Sequence, residues 1–197
     1  VGLSWLVAGL AGAVPYLFTG TFDSWVNAFF ESVSGFTTTG STVITGLDFA
    51  PPGILLWRAL LQWLGGIGII VMAIAVLPML RVGGMQLFHM ESSDTSDKVM
   101  PRAAQIASGI GLIYVSLTLI CGGALWLSGM SGFQAIAHAM TTIATGGYST
   151  RDASIGHYDT WVIDVIVTLG MIVGSLATWF KQGRYRKMAR HRSQEAD

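Results

Sequence analysis

Four long apolar runs govern what this chain can fold into: residues 1–18, 54–80, 103–127 and 161–180. Each is close to the roughly 20 mainly apolar residues that cross a bilayer as one helix. Soluble domains carry about 25% charged residues, whereas this chain of 197 residues carries 11%, and 52% of it is hydrophobic. The runs predict an all-α integral membrane protein with four transmembrane helices. A signal peptide would open on basic residues and close at a small-residue cleavage site. No basic residue precedes Asp23, so the first run is expected to be a transmembrane helix whose cytoplasmic start is truncated.

A net charge of zero conceals an asymmetry. Arg81, Lys98 and Arg102 lie between the second and third runs. Lys181, Arg184, Arg186, Lys187, Arg190 and Arg192 follow the fourth, and only Arg58 and Arg151 lie elsewhere. Four crossings put both basic segments on one face, which the positive-inside rule assigns to the cytoplasm. Loop 82–100 and the tail 181–197 are therefore expected inside, with Asp48 and Arg151 outside. The tail is expected to lie on anionic lipid or to be solvated. Cys121 is the single cysteine, so no internal disulfide or zinc spacing exists, and it is expected to pack inside the third run. His89, Glu91, Asp94 and Asp97 fit a solvated loop better than a metal site, with Asp97 capping a helix that opens near Pro101.

The chain divides into two similar halves. Residues 1–81 and 101–180 each run apolar helix, short apolar segment, Thr-Gly turn, polar stretch, apolar helix, with 82–100 as linker and 181–197 as tail. Such internal repetition marks a duplicated unit. The short segments "FDSWVNAFFESVSGF" and "SGFQAIAHAMTT" are too short to span, at about 10–14 residues, and predict re-entrant helices. Asp23 and Ser131 are the candidate N-caps. Placing Gly40 against Gly146 pairs Thr39 with Thr145. Non-helical backbone at membrane depth is tolerated where protein shields it or where it lines a watery cavity. The runs "TTTGS" and "IATGG" are thus expected to line a wet path.

A dehydrated cation needs oxygens in place of its water, and rings of backbone carbonyls supply them without a fixed charge. Aligned carbonyls require an extended chain with a residue that tolerates positive φ, which glycine does. Threonine adds a stiff β-branched wall. The residue types fit a cation filter.

The stretches "ESVSGFTTTGSTV", "MESSDTSDKVMPRAAQIASGIGLIY" and "HAMTTIATGGYSTRDASIG" resemble the Trk/Ktr/HKT superfamily of potassium transporters, in its bacterial TrkH type. The resemblance runs from residue 1 to about Leu176. It implies a fold of helix–pore loop–helix repeats, four around one pore, of which this chain holds two: four transmembrane helices plus two re-entrant pore helices. It implies potassium uptake across the cytoplasmic (inner) membrane, with the ion as substrate and no cofactor. The implied filter is Thr37, Thr38, Thr39, Gly40 and Ser41 in one repeat, and Ile143, Ala144, Thr145, Gly146 and Gly147 in the other, and potassium is the only metal expected there. Serine at a marker glycine goes with sodium permeation in related transporters, so Gly40 and Gly146 imply potassium preference. The implied partners are lipid, a second copy or further repeats completing four filters, and a cytoplasmic nucleotide-binding ring at the 81–102 loop. Nucleic acid is not among them. The ending "ATWFKQGRYRKMARHRSQEAD" departs from the family's continuation, which keeps a second reading open: a non-conducting fragment or assembly subunit.

Arg58, Gln62 and Gly66 share one helical face, and Asp164, Thr168 and Ser175 mark a polar stripe on the last helix. Ionisable groups in spans usually face an interior, but near a helix end snorkelling is cheap. Arg58 and Asp164 are therefore candidates for anchoring or for the pore vestibule, and Glu31 for support of the filter. "GGIGI" at 65–69 and Gly122-Gly123 predict close helix packing. His138 is expected to be a packing or hydrogen-bonding residue. No nucleophile–base constellation points to an enzyme.

Overall fold

The structure is a computed structural model that describes residues 2–80 and 96–176. Among the described residues six α-helices follow one another: α1 (Gly2–Phe18), α2 (Trp25–Phe36), α3 (Pro52–Leu80), α4 (Ser96–Leu127), α5 (Gly132–Ile143) and α6 (Trp161–Leu176). Short 3-10 turns at Leu47–Phe49 and Ser154–Tyr158 follow the two Thr-Gly runs. No strand occurs among the described residues. The architecture is all-α, and the order long–short–long repeats twice.

Each half starts with a long helix that carries the short one, α2 or α5. α1 packs on α2 through Ala13, Tyr16 and Ala28, joined by Ile54 and Leu61 of α3. α4 packs on α5 through Cys121, Leu125, Ala135 and Ala139, joined by Ile163 and Val167 of α6. Cys121 is a buried core residue, as its apolar setting predicts. The halves meet on α3, which packs against both pore helices. Ala59 of α3 is buried against Ala137 and Met140 of α5. The Trp63 indole N–H donates to Thr118 Oγ1 at 3.0 Å, which fastens α3 to α4.

Glycine makes these approaches close. A Cβ on Gly65 would overlap the Phe36 carbonyl, and one on Gly66 would strike the Tyr114 hydroxyl. Small residues let helix backbones approach in this way, and the expectation from "GGIGI" holds at Gly65 and Gly66 but not at Gly68, where a Cβ would meet nothing within 4 Å. Gly123 has nothing within reach of a Cβ, so packing does not explain it.

Several boundaries differ from the sequence reading. Residues 96–100, expected in the linker, form the start of α4, so Pro101 lies inside that helix. Pro101 is the sixth residue of α4, past the four leading amides that have no intrahelical partner, so the helix forgoes the bond from position 101 to the Asp97 carbonyl. The N-cap of α2 is Ser24 rather than Asp23, in extended conformation and without a side-chain cap bond. Ser131 caps α5, its Oγ accepting from the Gln134 amide at 3.3 Å. His89, Glu91, Asp94, Arg81 and the tail lie outside the described residues.

Among the described residues, one stretch is long and apolar enough to cross a membrane: Ser108–Leu127, with mean hydropathy 2.0. The apolar helices Trp5–Phe18 and Trp161–Leu176 are shorter. All three turn large apolar side chains outward, among them Leu6, Leu10, Leu119, Ile120, Leu169 and Ile172.

Candidate functional site

Both short helices, α2 and α5, end in the same backbone motif. At the end of α2 the Thr38 N–H donates to Gly35 O at 2.9 Å and the Thr39 N–H to Ser34 O at 3.0 Å. At the end of α5 the Thr145 N–H donates to Thr142 O and the Gly146 N–H to Thr141 O, both at 2.9 Å. This is a Schellman cap, which turns the chain through a left-handed residue. That residue is a threonine in both loops, Thr38 and Thr145, each at φ 56°. A β-branched residue at positive φ is rare and costs on the order of 1–3 kcal/mol. Two residues further on, Gly40 and Gly147 stand at φ 81° and 78°.

The two loops therefore match residue for residue, in a register one position off the sequence alignment. Thr38 corresponds to Thr145 and Gly40 to Gly147, not to Gly146. Ile143, expected in the filter, ends α5 and packs in the core, opposite Phe36 in the other repeat. Gly146 does not have positive φ. It is glycine for a different reason, since a Cβ there would run into the Gln62 side-chain amide.

After the caps, the carbonyls of 37–40 and of 144–147 accept no hydrogen bond among the described residues. Ser41 marks where this ends. Its carbonyl accepts from Ser34 Oγ at 2.6 Å and from the Tyr148 hydroxyl at 3.2 Å, so its lone pairs are turned to the protein. Each loop thus presents four successive free carbonyls at the C-terminus of a helix, where the macrodipole is negative and favours a cation. The strands touch: a Cβ on Gly40 would overlap the Gly146 carbonyl oxygen.

A buried ion pair braces the strands from behind. Glu31 on α2 and Arg58 on α3 are 0% and 1% exposed, with Nε donating to Oε1 at 2.9 Å. Thr42 Oγ1 and the Val43 N–H also donate to the Glu31 carboxylate. Arg58 Nη2 donates to Thr42 Oγ1, Nη1 donates to the Ser149 carbonyl, and the guanidinium lies 4.1 Å over the Tyr148 ring. Tyr148 in turn shares its one hydroxyl proton between Glu31 O at 3.0 Å and Ser41 O at 3.2 Å. Each nitrogen of the guanidinium and each oxygen of the carboxylate has a partner, as burial of charge requires. Of the open readings for Arg58, the geometry selects a brace that joins both loops, and Glu31 shares it. Asp164 is exposed on α6 and takes no part; the ion pairs among the described residues are Arg58–Glu31 and Arg151–Asp48.

The outer loops are clasped as well. Asp152 accepts from the Leu47 N–H at 2.9 Å and from the Asp48 N–H at 3.4 Å. The Leu47 amide, chief among these donors, holds the Asp152 carboxyl below its ordinary value. Arg151 pairs with Asp48 at 3.1 Å, and Gln134, with its amide oxygen facing Arg151, accepts from Nη2 at 2.7 Å. His138 lies between Gln134 O at 2.8 Å and Ser149 Oγ at 3.0 Å, a hydrogen-bonding role as expected. A small cavity of about 80 Å³ beside it, lined by Thr141, Thr142, Tyr148 and Ser149, lies behind the second loop.

A family model described as "TrkH: Cation transport protein" matches residues 1–180. The chain belongs to the TrkH family. Among TrkH relatives, Trk system potassium uptake protein TrkH of Escherichia coli K12 is 48% identical over 176 residues, 88% of this chain and 36% of that protein. Trk system potassium uptake protein TrkI of Halomonas elongata is 52% identical over 156 residues, 79% of this chain and 32% of that protein. The crystal structure of the potassium transporter TrkH from Vibrio parahaemolyticus superposes with a TM-score of 0.74 at 46% identity, covering 87% of this chain and 34% of that one. The chain thus spans about a third of the length of these TrkH relatives.

Sequence reasoning missed Tyr148, Ser149 and Thr42 as bracing residues, and it placed Gln62 on the right face without a task. The signal for Gln62 was its spacing of four from Arg58 inside an apolar run.

Proposed function

We propose that this chain forms part of a potassium-selective path across the cytoplasmic membrane of a bacterium. The observation that carries the reading is the pair of matched carbonyl strands, 37–40 and 144–147, at the C-termini of two pore helices. Free carbonyls in series replace the hydration shell of a cation without trapping it. The named activity of the relatives, potassium uptake, fits the same chemistry. In this reading the ion is the substrate, no cofactor takes part, and the work is permeation rather than catalysis. The driving force is the membrane potential, about 2.3 kcal/mol per charge per 100 mV.

Two strands make half of a fourfold ring, so a second copy or further repeats complete it. A two-fold homodimer is the simplest closed assembly. The 81–102 loop is the surface for a cytoplasmic nucleotide-binding ring. This places Asp48 and Arg151 on the outer side and the basic tail inside. Single cysteines introduced in a Cys121-free background test the topology: positions near Arg151 should react with an impermeant reagent in intact cells, and positions in 181–197 should not.

The functional test is growth of a potassium-uptake-deficient strain on limiting potassium. Expression of the chain is expected to restore growth and to bring in potassium in preference to sodium. Membrane-inserted protein with no potassium uptake would favour the other reading, a non-conducting assembly subunit.

A further inference from the structure

Gln62 stands one turn along α3 from Arg58 and is fully buried. Its amide enters the gap between the two carbonyl strands. Oε1 accepts from the Tyr148 N–H at 3.1 Å. Nε2 has no hydrogen-bond partner among the described residues. A Cβ on Gly146 would come within 2.6 Å of Nε2, and one on Gly40 within 3.6 Å. Both strands therefore press on one side-chain amide. The α3 backbone that carries the amide is held close to both loops, since a Cβ on Gly65 would overlap the Phe36 carbonyl and one on Gly66 would lie 3.2 Å from Ala144.

The Tyr148 N–H belongs to the same peptide unit as the Gly147 carbonyl. A peptide is planar and trans, so its N–H and C=O point in opposite directions. An acceptor that holds the N–H toward α3 thereby aims the Gly147 carbonyl away from α3. We propose that Gln62 is a positioning residue for ion selection: it fixes the orientation of the Gly147 carbonyl and the spacing of the strand against Gly40. The inference rests on the reading of 37–40 and 144–147 as a cation filter. A residue there only to fill space would be better served by leucine or methionine, since a buried amide with an unmet donor is costly. Released from Gln62, the Gly147–Tyr148 peptide is free to rotate and turn an N–H toward the ion, which a cation disfavours. The loss should fall on the choice between ions more than on the amount of protein.

The test compares potassium and sodium uptake by cells expressing the full chain, with inserted protein measured in parallel. Gln62→Met matches the side chain in length but accepts no N–H. It is expected to lower potassium-over-sodium preference about tenfold, the scale set by loss of one hydrogen bond. Gln62→Glu keeps an oxygen for Tyr148 and is expected to retain most of the preference, a rescue that simple packing would not produce. If Gln62→Met does not accumulate, Gln62→Asn, which draws the oxygen back by one methylene, should show the same loss. Gly40→Ser serves as the control for the filter itself. Unchanged preference in the Gln62→Met or Gln62→Asn variant beside a changed one in Gly40→Ser would overturn the role of Gln62 and leave the filter standing. No effect in either, or no uptake by the unsubstituted chain, would remove the filter and the inference together.

Discussion

Glu31→Gln is expected to destabilise the protein more than Arg58→Met does, although both break the same bond. The pair is completely buried, and its removal from one side costs about 3–5 kcal/mol, because the partner's charge is left without compensation. The two partners are not equivalent once alone. A carboxylate can bind a proton and become neutral, whereas a guanidinium keeps its charge. Without Arg58, Glu31 also keeps two donors, Thr42 Oγ1 and the Val43 N–H. Without the Glu31 charge, Arg58 keeps neutral acceptors only, among them the Ser149 carbonyl and Thr42 Oγ1. The Glu31→Gln/Arg58→Met double variant should recover about half of the loss of the worse single variant, since no buried charge remains. Thermal aggregation midpoints in detergent, read for the four proteins of the cycle, check this order. Equal losses for both single variants, with no recovery in the double, would show that the pair is not the brace described above.

How much of this was legible beforehand depends on what kind of information each feature needs. The apolar runs, the shortness of α2 and α5, and the Thr-Gly composition are properties of single segments, and they led to the two-repeat, all-helical architecture. The register of the repeats is a different matter. "TTTG" and "IATGG" can be aligned on the first glycine or the second, and composition favours the wrong one. The left-handed residue is threonine in both loops, and nothing about threonine announces positive φ. Its position is set by where the pore helix stops, two hydrogen bonds of a cap that only the fold reveals.

The bracing residues were hidden for a related reason. Ser34, Glu31, Arg58, Gln62 and Tyr148 come from three separate segments, and their convergence depends on α3 lying between the loops. A sequence pattern can mark Arg58 and Gln62 as polar intruders in an apolar run. It cannot state that one holds the carbonyl of Ser149 and the other the amide of Tyr148. Conversely, Asp164 looks equally intrusive in sequence, yet it is exposed on α6 and joins nothing in this network. Burial separated the two cases.

Substitution of the glycines should separate two physical causes. On the proposed filter reading, Gly40→Ser is expected to be the most damaging to ion selection, because two penalties coincide there. Its φ of 81° is one that L side chains rarely adopt, and its Cβ would overlap the Gly146 carbonyl oxygen. The second is a clash with backbone, which has no rotamer by which to yield. The strand must move, and with it the carbonyl oxygens that would coordinate the ion. Gly147→Ser carries the φ penalty alone, since nothing lies within 4 Å of its Cβ position. The cost of forcing a non-glycine residue into that region is about 1–2 kcal/mol, so part of the potassium preference should survive. Gly146→Ser has no φ penalty but would push the Gln62 amide aside, and its effect should therefore resemble that of Gln62→Met. Potassium and sodium uptake per inserted molecule should accordingly rank Gly40→Ser as least selective, with Gly147→Ser milder. A reversed ranking, with Gly40→Ser close to the unsubstituted chain, would mean that the Gly40–Gly146 contact does not form at the ion path.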